Sequence, residues 1–552
     1  MTSLRSRRTA PGAILAIALG AAVPVAFIAA FLGWPVLRML GLGLLPEGSL
    51  DLAGALDALL RERTLRLIGL TLGQAAAATA ITAVLALPAA FVLYRLRFRG
   101  RGVLRALVIV PFVLPTVVVG IAFRILFRDG GPLGALGWDG SVAAILCALV
   151  FFNIAVVVRT VGGAWEGLDP RAEEAARALG ASRARAFLDV TLPRLALSLV
   201  SAAAVVFLFC ATAFGVVLVL GGPGTGTIET EIYVLTTQFL DLQGAAVLSI
   251  LQLLVVVLAL SVAARARAAG DTAQRRVAHA ARAPRRRDAP VILATVVVAA
   301  LLLLPIVTLV VRSLRTLDGW GVDNYLALGG GNDVMPAPVW QAVLTSLTTA
   351  GQAVLIAVPL ALCAALVLSR RPRSAAGRRL LAVLDGALML PLGVSAVTVG
   401  FGFLIALDRP PLDLRDSPLL IPIAHALVAL PLVLRTVLPV LRGIDPRLRE
   451  AAAALGAPPW RVLLGVDLAI AARPALAAAG LAGAVSLGEF GATTFLARPD
   501  GPTLPVVIVR LLARPGGEHL GMAIAASVVL AAITVLVMAL VERLRVNSLG
   551  AF

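Results

Sequence analysis

Leu168-Asp169-Pro170-Arg171-Ala172-Glu173-Glu174-Ala175-Ala176-Arg177-Ala178-Leu179-Gly180-Ala181 recurs as Ile444-Asp445-Pro446-Arg447-Leu448-Arg449-Glu450-Ala451-Ala452-Ala453-Ala454-Leu455-Gly456-Ala457. From Glu174 to Glu450 the shift is 276 positions, half of the 552-residue chain. The same shift lays Arg159-Thr160-Val161 on Arg435-Thr436-Val437, Leu114-Pro115 on Leu390-Pro391, Phe214-Gly215 on Phe490-Gly491 and Thr227 on Thr503. Alanine and leucine would coincide by chance in so biased a sequence, but Asp-Pro-Arg, Glu, Gly and Phe-Gly would not. The chain reads as a duplicated unit.

What is duplicated is a membrane bundle. The sequence is 60% hydrophobic and 14% charged, with a mean hydropathy of +0.98, more apolar surface than a water-soluble core can hide. A helix needs about 20 apolar residues to cross the hydrocarbon. Such runs fall at 12–33, 66–94, 103–127, 141–163, 195–220 and 243–264, and again at 289–312, 341–369, 380–407, 419–441, 472–496 and 519–541. The expected fold is therefore all-α and polytopic, with about twelve spans as two six-helix repeats. An even number per half makes the repeats parallel.

The net charge of +18 would suggest a nucleic-acid partner in a soluble protein. Here the arginines collect between apolar runs: at Arg5, Arg7 and Arg8, from Arg95 to Arg105, Arg171 to Arg194, Arg265 to Arg287, Arg370 to Arg379 and Arg442 to Arg473. All fall on one side if both termini are cytoplasmic, as the positive-inside rule requires. The partner of this charge is a lipid bilayer, and no nucleic acid is expected. The first run has no clear small-residue cleavage site and reads as a retained anchor. Cys147, Cys210 and Cys363 stand singly inside spans, without metal-ligand spacing. The basic, alanine-rich stretch 265–288 is the seam between a first half, 1–264, and a second, 289–552.

Asp169-Pro170 and Asp445-Pro446 are helix-start signals, an aspartate able to cap free backbone donors and a proline suited to the first turn. Glu174 and Glu450 sit early, where the helix dipole favours anions. Gly180 and Gly456 mark the ends. An alanine-rich helix of this kind has a slim face suited to another protein's groove.

Glu174-Ala175-Ala176, Gly180 and Val190-Thr191-Leu192-Pro193 resemble the EAA loop of ABC importer permeases at the family's spacing. The two loops run over 168–193 and 444–469; the second keeps Glu450-Ala451-Ala452, Gly456, Val466 and Leu468 but has Ala469 where proline is usual. The resemblance implies a binding-protein-dependent, MetI-like permease fold for the chain, in the plasma membrane of a bacterium. It implies that Asp169, Glu174, Ala175, Ala176 and Gly180, with Asp445, Glu450, Ala451, Ala452 and Gly456, couple the membrane helices to an ATPase. The chain has no lysine, hence no Walker lysine to cradle phosphates. ATP and Mg would be bound by a partner, implied to be a homodimer of ATP-binding subunits on the cytoplasmic side, and this chain would hold no cofactor or metal and catalyse nothing itself. An extracytoplasmic solute-binding protein would deliver the solute, with 221–243 and 497–518 as candidate contact loops.

Leu220-Gly221-Gly222-Pro223, Thr227-Ile228-Glu229, Glu231-Ile232-Tyr233, Phe151-Phe152-Asn153 and Ser486-Leu487-Gly488-Glu489-Phe490-Gly491 resemble thiamine transporter permeases. Iron(III) transporter permeases share the fused layout and the last segment, so the solute implied is thiamine or its phosphates, with iron(III) as the alternative. A twelve-helix secondary transporter also has parallel halves; the repeated Glu-Ala-Ala helix argues against it. Within the spans, Glu489 is the costly ionisable group and so the pathway candidate, with Ser486 and Thr493 as neighbouring hydroxyls and Asn153 as a further candidate. Asn153, Gln252, Asp385 and His425 each also suit hydrogen bonding between helices. Pro115 and Pro391 are expected to kink the third and ninth spans.

Overall fold

A computed structural model describes residues 11–45, 48–49, 51–271, 281–316, 319–330, 337–370, 374–410, 412–498 and 501–549. Arg5, Arg7, Arg8, Arg371, Arg373 and the central part of the basic seam, 272–280, lie outside the described residues. Apart from a short hairpin pairing Asp408–Arg409 with Leu412–Asp413, the long elements are helices. Among the described residues ten helices are long and apolar enough to cross a membrane, or eleven if one bent pair counts as a span.

The difference from twelve lies in the third and ninth expected spans. The helix Arg101–Val113 stops at Leu114 and a second, Thr116–Phe127, departs at 102°. Pro115 forces this: it offers no backbone donor, and it drives Leu114 into an extended conformation, with ψ of 139°. In the second half the helix Ala375–Met389 runs into a 3-10 turn, Leu390–Leu392, and the next helix, Ala396–Ala406, restarts at Ser395. The Ser395 hydroxyl accepts from the Thr398 amide at 3.2 Å, the side-chain cap that proline cannot supply. Ala396–Ala406 is too short to be a span on its own.

The fifth and eleventh expected spans break as well. Leu192–Ala211 is followed by Gly215–Leu220, and Ala469–Gly488 by Thr493–Leu496. A break in apolar surroundings frees backbone groups that need partners, and each half solves this with its own side chain. In the first, Gln252 Nε2 donates to the carbonyl of Ala211 at 3.0 Å. In the second, the carboxylate of Glu489 accepts from the backbone of the turn that follows.

The chain forms two compact units, which divide it differently from the sequence repeat. One comprises 1–39, 341–503 and 533–552; the other comprises 40–340 and 504–532. The halves record the duplication, whereas the units record packing. In the unit built on 40–340, Glu62–Arg95 and Val142–Glu166 lie side by side, and Leu192–Ala211 packs on both. Thr71, Ala75, Ala78, Thr82, Ala86 and Ala89 form the buried face of the first of these helices. Small side chains let helix backbones approach, which matters where lipid removes the hydrophobic drive. The helix Ala289–Ser313, first of the second sequence half, packs here against Glu62–Arg95 and Thr116–Phe127.

In the unit built on 341–503, Leu420–Gly443 packs along Ala469–Gly488. Leu427, Leu430, Val433, Leu434 and Val437 are fully buried. The chain's first helix belongs to this unit, with Phe31 against Phe403 and Trp34 Nε1 donating to the carbonyl of Ala406 at 3.2 Å.

Candidate functional site

The duplicated stretch forms the same structure twice. Arg171–Ala178 and Pro446–Ala454 are short helices without a buried residue. Asp169 accepts from the Arg171 amide at 3.0 Å, and Asp445 from the Arg447 amide at 2.9 Å, satisfying donors that a helix start leaves free. Pro170 lies before the first helix and Pro446 opens the second.

The ends match bond for bond. Gly180 N donates to Arg177 O and Ala181 N to Ala176 O, each at 3.1 Å; Gly456 N donates to Ala453 O and Ala457 N to Ala452 O, each at 3.1 Å. With φ of +93° at Gly180 and +83° at Gly456, these are left-handed glycine caps. The cap turns the preceding leucine outward: Leu179 is 90% exposed and Leu455 is 89% exposed. Glu174, Ala175, Glu450 and Ala451 are exposed, while Ala176 and Ala452 are half-buried at the root. The leucines were not singled out from the sequence, although the glycine after each was a signal for them.

How each helix is fastened differs. In the first, the Thr191 hydroxyl donates to Glu173 Oε2 at 3.1 Å, above a small crevice lined by Arg95, Asp169, Glu173 and Arg194. Arg95 donates to the carbonyl of Leu168 at 3.0 Å. In the second, the equivalent positions hold Arg449 and Asp467, and Arg449 Nε donates to Asp467 Oδ1 at 2.6 Å.

The pathway candidates separate. Ser486, Glu489 and Thr493 meet in one cluster, and His425 is its centre. His425 Nδ1 lies 2.7 Å from the Ser486 hydroxyl, and Nε2 lies 2.7 Å from the Thr493 hydroxyl and 2.9 Å from Glu489 Oε2. Glu489 Oε1 accepts from the Ala492 amide at 2.8 Å, and Oε2 accepts from the Thr493 amide at 3.1 Å and its hydroxyl at 2.7 Å. The carboxylate is thus held by two backbone and two side-chain groups, all buried. Its arrangement caps the restart at Thr493–Leu496 and ties it to Leu420–Gly443. Asn153 belongs to the other unit, where Nδ2 donates to Leu149 O at 2.9 Å and faces Cys210 Sγ at 3.4 Å. Asp385 pairs with Arg442 at 3.5 Å.

The stretch 221–243, a candidate contact loop, contains the helix Ile228–Val234, whose two glutamates turn inward. Glu229 is fully buried, and Glu231 pairs with Arg63 at 2.8 Å. Thr237, Gln238, Phe239 and Leu240 are exposed at the far end of the stretch. At the basic seam, helix Leu242–Asp271 continues past Arg265. Beyond the undescribed residues, Arg282 holds the backbone of Arg95 and Arg97 and pairs with both oxygens of Asp288, at 2.7 and 2.9 Å. The Asp288 carboxylate keeps the Arg282 guanidinium above its ordinary pKa.

Comparison with known proteins agrees with this geometry. Residues 82–268 and 357–545 each match the family described as binding-protein-dependent transport system inner membrane component. The chain is 28% identical to the thiamine transport system permease protein of Brucella abortus (strain 2308), over the whole of both chains. It is 31% identical to that of Escherichia coli (strain K12) over 76% of this chain and 78% of the relative. The molybdenum transport system permease protein of Escherichia coli (strain K12) is 34% identical over 34% of this chain and 85% of its own length. With two copies of the family domain, the loop helix repeated and the spans around it, this chain belongs to the binding-protein-dependent transport permeases, multi-pass inner-membrane subunits of ABC importers.

Proposed function

We propose that the chain carries thiamine or its phosphates inward, driven by ATP hydrolysed on a homodimer of ATP-binding subunits. One subunit docks on each of the helices Arg171–Ala178 and Pro446–Ala454, on the cytoplasmic side where both termini also lie. The observation that carries this reading is the matched pair of helices, each begun by an aspartate and ended by a left-handed glycine, each presenting a leucine about nine-tenths exposed. A leucine so exposed next to a fixed glycine turn has the form of a knob for a partner's cleft. The full-length similarity to a thiamine permease supports the solute.

Alternating access then follows as a population shift: ATP binding favours one arrangement of the spans, and hydrolysis the other. Solute arrives from an external binding protein. The cluster at His425 contributes by holding the broken eleventh span, since the oxygens of Glu489 are already engaged. Reconstitution with ATP-binding subunits and a solute-binding protein of a thiamine importer tests this. ATP-dependent accumulation of labelled thiamine is expected. It is lost when Glu174, Gly180, Glu450 and Gly456 are replaced, with membrane insertion intact. Uptake that persists in that variant refutes the docking assignment; uptake of iron(III) in place of thiamine refutes the solute.

A further inference from the structure

We propose that Asp467 is the positioning residue through which the second docking helix moves its bundle, a role that the first half does not reproduce. The proposal rests on the docking reading above.

Asp467 is 2% exposed, at the start of the eleventh span, in a run that is otherwise apolar. Each of its carboxylate oxygens meets a different guanidinium. Oδ1 accepts from Arg449 Nε at 2.6 Å, and Arg449 lies on the docking helix Pro446–Ala454. Oδ2 accepts from Arg370 Nη2 at 3.4 Å, and Arg370 directly follows the helix Val339–Leu368 and its terminal turn. Arg449 Nη2 also reaches the carbonyl of Leu441, near the end of Leu420–Gly443, at 3.4 Å. One buried carboxylate therefore joins the docking helix to the ends of the spans that must move with it. Charge-assisted bonds are shorter and stronger than neutral ones, and a buried charge cannot exchange its partner for water without a large cost. The short bond of the junction, 2.6 Å from Arg449 to Asp467, is the one that fixes the docking helix to the span.

The duplication supplies an internal control. At the equivalent positions the first half has Glu173 and Thr191, joined by a single hydroxyl–carboxylate bond at 3.1 Å over a crevice. The acid has moved from the span to the docking helix, Tyr94 stands at the position of Arg370, and Arg95, which lines the same crevice as Glu173, donates to the carbonyl of Leu168 rather than to the carboxylate. The first docking helix is accordingly the compliant one of the two.

The test uses the full chain with its ATP-binding subunits in lipid vesicles and two readouts. Hydrogen exchange of Pro446–Ala454 reports docking, and labelled thiamine taken up per ATP hydrolysed reports transmission. D467N and R449Q are expected to keep the docking protection and to lower thiamine per ATP by about tenfold. The double variant D467N/R449Q should be no worse than either single, because the two act as one unit. R449K restores most of the ratio, and T191V in the first half lowers it only about threefold. D467N at the wild-type ratio, or a double variant whose loss is the product of the singles, overturns the proposal. If D467N does not assemble, R449Q and R449K decide by the same ratio. A wild-type chain that gains no protection of Pro446–Ala454, or takes up no thiamine, refutes instead the function proposed above.

Discussion

Replacing Glu489 by alanine gives the sharpest test of what the buried cluster does. The carboxylate accepts the amides of Ala492 and Thr493, at 2.8 and 3.1 Å, and faces the Thr493 hydroxyl and His425 Nε2, at 2.7 and 2.9 Å. His425 and Thr493 can still bond to each other after its loss, since they already lie 2.7 Å apart. The two amides have no second acceptor among these contacts. A buried donor left without a partner costs about 1–3 kcal/mol, so Glu489→Ala is expected to destabilise the chain by about 2–6 kcal/mol. Glu489→Gln keeps one acceptor oxygen and the volume, and should lose about half as much. Reversible unfolding of the purified chain in mixed micelles, followed by tryptophan fluorescence, measures both. If Glu489 instead ligated the solute, alanine and glutamine would leave stability near wild type and would weaken thiamine binding alike. A Glu489→Ala chain within about 0.5 kcal/mol of wild type, with altered solute affinity, refutes the capping argument.

Other outcomes follow from the same geometry. Gly180→Ala and Gly456→Ala place a side chain at φ of +93° and +83°, at a cost of about 1–2 kcal/mol each, and should fray the caps, seen as faster exchange of the Ala181 and Ala457 amides. Leu179→Asp combined with Leu455→Asp should leave the chain folded but abolish co-purification of the ATP-binding subunits; co-purification at wild-type yield would remove the leucines from the interface. Gly400 packs on the eleventh-span break, where an added Cβ would lie 2.7 Å from Ala492 Cα and 2.9 Å from its carbonyl oxygen. Gly400→Ala should therefore cost about 1–3 kcal/mol in the same unfolding assay. Arg282→Ala keeps the backbone pairing with Arg95 and Arg97 but removes both bonds to the Asp288 carboxylate, and should loosen 283–288, detected as faster tryptic cleavage at Arg285 to Arg287.

The duplicated organisation, the helical membrane class and the bounds of the two loop helices were legible in the sequence because each is a local property. An apolar run of span length, an Asp-Pro start and a glycine stop act within a few residues of chain, and Asp169 to Gly180 and Asp445 to Gly456 were read from those alone. The broken spans were partly legible: Pro115 and Pro391 announced a disturbance, but a hydropathy window averages over the 102° turn at Leu114 and the break at Glu489. The grouping of Ser486, Glu489 and Thr493 with His425, and the absence of Asn153 from it, was decided by packing. So was the meeting of Asp467 with Arg370, 97 positions away. Burial makes such polar contacts obligatory, since an unpaired charge or donor is expensive away from water, but which groups meet depends on helices brought together across the fold. The repeat also conceals its own differences: Glu173 with Thr191 and Arg449 with Asp467 align in sequence as unrelated residues, and only the tertiary structure shows that each pair fastens the same helix.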